Sequence, residues 1–304
     1  MLPLPLPLLL LLSCSPVRLA TQVVEAAARN EGLVERRVVL GSRQVRVWVG
    51  GEGPPLVLLH GFGGDGLLTW NRQVEELRQH RTLIIPDLLW FGDSFALGPT
   101  PSLELQARTI WETIDQLGYE QVELAGISYG GFVAMLMHQL DPARVQSLVI
   151  VDSPGPVFEP QDVQAMLDRL GINSAEQMFV PQTPEDVARL IAIVRPGGPP
   201  IPRPILVDIK ERHFSRNHDE HRALLADLTG LHGAFPASAW KKPARGLVIW
   251  GEEDPVFPVE SGRELAQVMG MELAVMEGLA HGPNFQRAGE FNTILLDFLV
   301  GEDR

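Results

Sequence analysis

Apolar positions along this chain follow two different periods. Leu33 to Leu40 and Gln44 to Val49 alternate apolar with polar residues across Gly41-Ser42, the pattern of an antiparallel hairpin at a sheet edge. Leu56 to His60, Thr82 to Asp87, the segment from Val122, Val145 to Val151 and Arg245 to Trp250 are apolar runs, as expected of parallel strands buried on both faces. Met271 to Met276 adds one more strand. Between them, Trp70 to Arg78, Ser102 to Leu117, the segment after Ser128, Ser261 to Met269 and Gln286 to Leu299 read as helices, with Gly118 as a stop. Strands alternating with helices predict an α/β protein with a mostly parallel central sheet flanked by helices.

From Pro154 to Trp240 the strand pattern lapses. Glu159 to Leu170, Pro184 to Ile193, Pro204 to Phe214 and Asp219 to Leu228 are helix-like, split by the Pro/Gly cluster Arg195 to Pro204. The expected organisation is therefore a core of residues 33–153 and 241–304, with 154–240 as a helical cap inserted after the strand ending near Val151. Residues 17–32 read as a short helix or stalk. Residues 1–16 are a Leu/Pro-rich apolar segment, too short to span a bilayer, which needs about 20 apolar residues. Its length suits a secretory signal, and Leu11-Leu12-Ser13-Cys14 resembles a bacterial lipoprotein cleavage site. No Lys or Arg precedes the apolar run, and Leu12 is large for that site. The expectation is an exported or membrane-anchored protein, associated with membrane through its amino end; the alternative is a cytoplasmic chain with an unprocessed apolar tail.

Composition narrows the chemistry. The 304 residues carry a formal net charge of -13, which argues against a nucleic-acid partner. Cys14 is the single cysteine, so neither an intrachain disulfide nor a cysteine metal cluster is expected. At 45% apolar residues, the chain can bury a sizeable core.

The chemistry gathers around Gly126-Ile-Ser128-Tyr-Gly130, a G-x-S-x-G pattern between an apolar strand and an apolar helix. A strand that reverses at once into a helix brings two backbones together, so the flanking positions must be nearly free of side chain, and the turn raises the Ser128 hydroxyl above the sheet edge. A serine hydroxyl needs a base, and the base needs a carboxylate to orient it. His281, in Glu277-Gly-Leu-Ala-His281-Gly, follows the last strand and is the candidate base. Asp254, in the turn after Arg245 to Trp250, is the candidate acid. Asp152, at the end of Val145 to Val151, competes with it; Asp254 has the better claim because it lies between Ser and His in the chain.

His60-Gly61-Phe62-Gly63-Gly64 would then form the oxyanion loop, with Phe62 N–H and Tyr129 N–H as donors and His60 as a structural support. The same glycines match G-x-G-x-x-G, with Asp87 near the spacing of a ribose-binding acid. Against a dinucleotide site, two extended segments precede this strand, His60 is foreign to the turn, and Ser128, Asp254 and His281 would go unexplained. No cofactor and no metal is expected. His213, His218 and His221 read as a solvated polar helix face.

With these four motifs in this order, residues 33–300 resemble the α/β-hydrolase superfamily, near its capped esterases, lipases and carbon–carbon bond hydrolases. The resemblance implies the α/β-hydrolase fold, Ser128 as nucleophile, Asp254 as acid, His281 as base, and a small-molecule carboxylic ester as substrate. It also implies alternatives on the same triad: carbon–carbon bond hydrolysis, cofactor-free peroxide chemistry, or a binding protein that keeps the triad shape. Two departures stand out. In Asp87-Leu-Leu-Trp90-Phe91-Gly92-Asp93-Ser94, Leu89 and Trp90 replace the family's Pro and Gly, either narrowing the pocket or joining the core. Gly282 to Gln286 lacks the Glu that commonly follows the histidine. Trp90, with Phe158 and Phe179 of the cap, are the candidate pocket residues, and the apolar cap favours a lipophilic, acylglycerol-like ester.

Overall fold

The computed structural model describes residues 15–230 and 240–301. The apolar segment up to Cys14 and the last part of the inserted segment, 231–239, lie outside the described residues.

Helix α1 (Pro16–Asn30) precedes a sheet of nine strands. These are β1 (Val34–Leu40), β2 (Arg43–Gly51), β3 (Pro55–Leu59), β4 (Thr82–Pro86), the two-residue β5 (Phe95–Ala96), β6 (Val122–Ile127), β7 (Val145–Val151), β8 (Gly246–Gly251) and β9 (Glu272–Met276). Their order is β1-β2-β4-β3-β6-β7-β8-β9, with β5 against β2. Every pairing of β1 and β2 is antiparallel, and all pairings from β4 to β9 are parallel.

The continuous apolar runs are explained by burial on both faces. Val57, Leu59, Ile84 and Leu124 point into one core, while their neighbours Leu56, Leu58, Leu83, Ile85 and Ala125 point into the other. Helices α3 (Leu103–Leu117), α4 (Tyr129–Leu140) and α10 (Val259–Met269) cover the first face, and α1, α2 (Gly66–Leu77) and α12 (Ala288–Val300) the second. Asp65 and Ser102 cap α2 and α3, and Gly118 ends α3 in the left-handed region at φ 86°. The helix expected from Gln286 to Leu299 is α12, and a separate short turn, α11 (Pro283–Gln286), precedes it, divided from it where Arg287 leaves helical geometry at φ -134°, ψ 65°.

Among the described residues five α-helices lie between β7 and β8: α5 (Pro160–Leu170), α6 (Ala175–Phe179), α7 (Pro184–Val194), α8 (Arg203–His213) and α9 (His218–Gly230). Phe158, Met166, Met178 and Leu224 merge with the core beneath, and Val187, Leu206 and Phe214 form a small cluster of their own. Two features tie this layer down. Asp208 on α8 accepts from Ser15 Oγ at 2.5 Å and from Val17 N–H at 3.0 Å, capping the start of α1. Asn217, just before α9, and His221 on it both donate to the Trp90 carbonyl, at 2.6 and 2.8 Å. Among the described residues no helix is long and apolar enough to cross a membrane.

Far from the cap, Arg81 Nε donates to Glu123 at 2.5 Å with both side chains about 5% exposed. A lone buried carboxylate has no such partner, and burial already pushes Glu123 up. Arg81→Ala is therefore expected to cost about 3–5 kcal/mol in urea unfolding, and a loss below about 1 kcal/mol would contradict this account of the pair.

Candidate active site

The site begins with a backbone constraint. Ser128 joins β6 to α4 at φ 52° and ψ -120°, a conformation side-chain-bearing residues rarely hold. Three glycines make room for the reversal. A Cβ on Gly126 would meet the Gly130 carbonyl at 2.2 Å, one on Gly130 the Leu59 carbonyl at 2.4 Å, and one on Gly131 the Ser153 Cβ at 2.5 Å. The Ser128 N–H is tied to the Val151 carbonyl at 2.9 Å. Its side chain makes no capping bond to α4, so Oγ is not spent on the helix.

The loop after β3 lies over this turn. A Cβ on Gly61 would sit 3.4 Å from the Ser128 Cβ. His60 holds the loop in place: Nδ1–H donates to the Gly61 carbonyl at 2.8 Å, and Nε2 accepts from Leu88 N–H at 2.9 Å. Burial pushes this imidazole down to about 4, so it is neutral and structural. Among the described residues neither Phe62 N–H nor Tyr129 N–H donates elsewhere in the chain, and Tyr129 is the first residue of α4, where helix N–H groups have no partner within the helix. The glycine pattern here follows the third strand, and Asp87 is buried with its oxygens accepting from Gly66 and Asp93 N–H at 2.9 and 3.0 Å. That carboxylate braces the loop rather than facing a ligand.

The turn after β8 presents Asp254, whose Oδ1 accepts from Val256 N–H at 2.7 Å and Phe257 N–H at 3.1 Å. Its Oδ2 lies 2.8 Å from His281 Nδ1. That bond separates the two candidate acids: Asp254 meets the imidazole, while Asp152 accepts from Gly251 and Gly282 N–H, each at 2.9 Å. Burial alone would lower His281, but the Asp254 charge, the hydrogen bond and Asp152 outweigh it, so His281 is raised above its ordinary 6.5. With Nδ1–H donating to Asp254, Nε2 is left as the basic nitrogen. Among the described residues no hydrogen bond joins Ser128 Oγ to His281. In place of the absent Glu, Gln286 braces the loop, accepting from Ala280 N–H at 3.3 Å and donating to the Val194 carbonyl at 3.2 Å.

Ser128 borders a narrow, tightly lined slot. Phe62, Tyr129 and Phe132 line it from the core, Phe158, Met166 and Phe179 from the cap, and Phe257 from the Asp254 turn. Phe158 and Phe179 were legible as cap aromatics. Phe132 and Phe257 were not, although each follows a candidate catalytic residue by three or four positions. Trp90 does not line the slot. It is 3% exposed, held in the core at φ 67°, the family's glycine position, with Nε1–H donating to the Ala96 carbonyl at 3.3 Å. His221, expected on a solvated face, is fully buried: its ring stacks on Phe91 at 4.5 Å, and burial pushes it down to about 4. Its neighbours Phe91 and Trp90 are some 130 residues away in sequence, which is why a helix-face pattern misplaced it.

Comparison with known proteins agrees with this architecture. Residues 54–185 match the model of the alpha/beta hydrolase fold family. The chain is 27% identical over 296 residues to 2-hydroxymuconate semialdehyde hydrolase of Pseudomonas sp. (strain CF600), covering 91% of this chain and 98% of that protein. Among solved structures it superposes on a bacterial membrane phospholipase A described as a virulence factor, with TM-score 0.81, 27% identity and 97% of each chain covered. It also superposes on a putative lipase from Acinetobacter baumannii AYE, with TM-score 0.79, 21% identity and 92% and 95% covered, a likeness of fold. The chain has the α/β-hydrolase fold, and its likeness to that family and to these relatives supports a hydrolase.

If close backbone approach holds the Ser128 turn, Gly130→Ala should lower stability by about 1–3 kcal/mol or more and remove activity. A folded, fully active Gly130→Ala protein would contradict the elbow geometry.

Proposed function

We propose that this protein hydrolyses lipophilic carboxylic esters through Ser128, His281 and Asp254. The observation that carries the reading is the slot: apart from Ser128 and Tyr129, every lining residue is apolar, and no Arg, Lys or His lines it among the described residues. Such a channel suits an acyl chain, and Ser128 among its lining residues supports a reading in which that chain's carbonyl meets the serine.

In this reading Ser128 Oγ attacks the ester carbonyl and passes its proton to His281 Nε2. Asp254 orients the ring and offsets the positive charge that forms. The developing oxyanion sits against Phe62 and Tyr129 N–H at the positive end of α4. His281 then protonates the leaving alcohol, and water releases the acid by the same steps reversed. Attachment to a membrane through the amino end would bring such a slot to lipid esters; that part of the proposal rests on the apolar composition of residues 1–12.

A second reading, carbon–carbon bond hydrolysis on the same groups, draws support from the likeness to 2-hydroxymuconate semialdehyde hydrolase. A muconate carries a carboxylate, and the slot offers it no cationic side chain, which favours the neutral ester.

Ser128→Ala is expected to lower kcat on p-nitrophenyl esters by orders of magnitude with unfolding unchanged; near-wild-type turnover would overturn the assignment. Across acyl chains of increasing length, kcat/KM should rise about fourfold per buried methylene until the slot is filled. A preference for acetate, or turnover confined to carboxylate-bearing ketones, would favour the second reading. Because His281 must be neutral to act as base and is raised, activity should fall as pH drops through a midpoint above about 6.5. An acid limb well below that value would contradict the Asp254–His281 pairing.

A further inference from the structure

Asp152 has no task in the reaction just described, yet it is completely buried and held at φ 43°, one of three non-glycine residues with positive φ among those described. Its Oδ1 accepts from Gly251 N–H and its Oδ2 from Gly282 N–H, each at 2.9 Å. Gly251 ends β8, three residues before Asp254; Gly282 directly follows His281. One carboxylate therefore ties the turn carrying the candidate acid to the loop carrying the candidate base. One side-chain ligand atom from each of Asp152, Asp254 and His281 lies within 4.8 Å of the others.

We propose that Asp152 is a positioning residue: it fixes the separation of the Asp254 turn and the His281 loop, and its charge supports the imidazolium that forms during turnover. The inference rests on the triad reading above. The surroundings leave this work to few groups. Asp254 and Asp152 are the charges that act on His281. On the Asp254 turn, Glu252 and Glu253 are exposed, and Glu252 accepts from Gly278 N–H at 3.1 Å instead. From the cap, Val194 faces Gly282, and from the Asp254 turn the Phe257 ring lies 5.8 Å from the imidazole; neither bears charge. Burial, then the neighbouring Asp254 charge, pushes Asp152 up to about 7, against the opposing pull of His281 and the two N–H groups. The two bridging N–H groups are what favours the anion there.

An amide at this position keeps one acceptor oxygen and sets its NH2 against the other N–H. Asp152→Asn should therefore lower kcat/KM on order of tenfold or more, mostly in kcat. It should also move the acid limb of the pH profile to lower pH by about one unit, because the imidazolium loses a neighbouring anion. Asp152→Ala should cost more. A variant that is slower or less stable but keeps the wild-type acid limb would show a purely structural role and overturn the proposal, as would unchanged kcat/KM. Should neither variant fold, the unaltered protein still decides: NMR titration should show the Asp152 carboxyl carbon and the His281 ring responding over the same pH range, and an Asp152 signal indifferent to the His281 titration would overturn the proposal. The NMR result does not depend on which residue is the nucleophile, so it separates failure of this inference from failure of the Ser128 assignment, which Ser128→Ala reads.

Discussion

The reversal at Ser128 is the constraint on which the rest depends. A strained serine between a strand and a helix is costly in isolation. It persists because β6 lies at the centre of a parallel sheet, with β3 and β7 on either side, and because Gly126, Gly130 and Gly131 let α4 and the neighbouring backbones close to contact distance. The same closeness brings the His60–Gly61 loop over the serine. The glycines thus supply two things at once: a hydroxyl that borders the slot, and backbone N–H groups at a helix start with no internal partner. Neither could be moved without disturbing the packing of three strands.

Around this turn, buried polar groups act as struts. His60 spans from its own loop to Leu88, Asp87 joins Gly66 to Asp93, Asp152 joins Gly251 to Gly282, and His221 joins the cap to Trp90. Each ties together loops that leave the same edge of the sheet. Asp87 lies 3.8 Å from the buried Arg46, which also pairs with Glu25 of α1 and with Glu35. The amino-terminal helix is therefore linked to the loop beneath the cap as well as to Asp208 on the cap itself. A site whose loops are held this way costs little reorganisation when charge develops in it.

Much of this was legible from residue pattern, for a physical reason. Parallel strands buried on both faces must be apolar throughout, so β3, β4, β7 and β8 announce themselves, and a serine elbow must carry glycines at fixed positions. What was not legible depends on contacts distant in sequence or on elements too short for any period. The single turn α6 and the two-residue β5 carry no periodicity. Whether Trp90 faced the slot or the core could not be decided until its carbonyl was seen beneath Asn217 and His221. Asp152 and Asp254 both follow strands, and the order of the chain favoured one, but a 2.8 Å hydrogen bond to His281 is a property of the folded loop alone.

Covalent labelling tests the central claim most directly. A fluorophosphonate needs an exposed, activated serine with a base nearby, and it leaves an adduct whose position mass spectrometry can read. The account predicts one adduct per chain, on Ser128, formed far more slowly when His281 is replaced by Ala. An unmodified Ser128, or labelling indifferent to the imidazole, would contradict it.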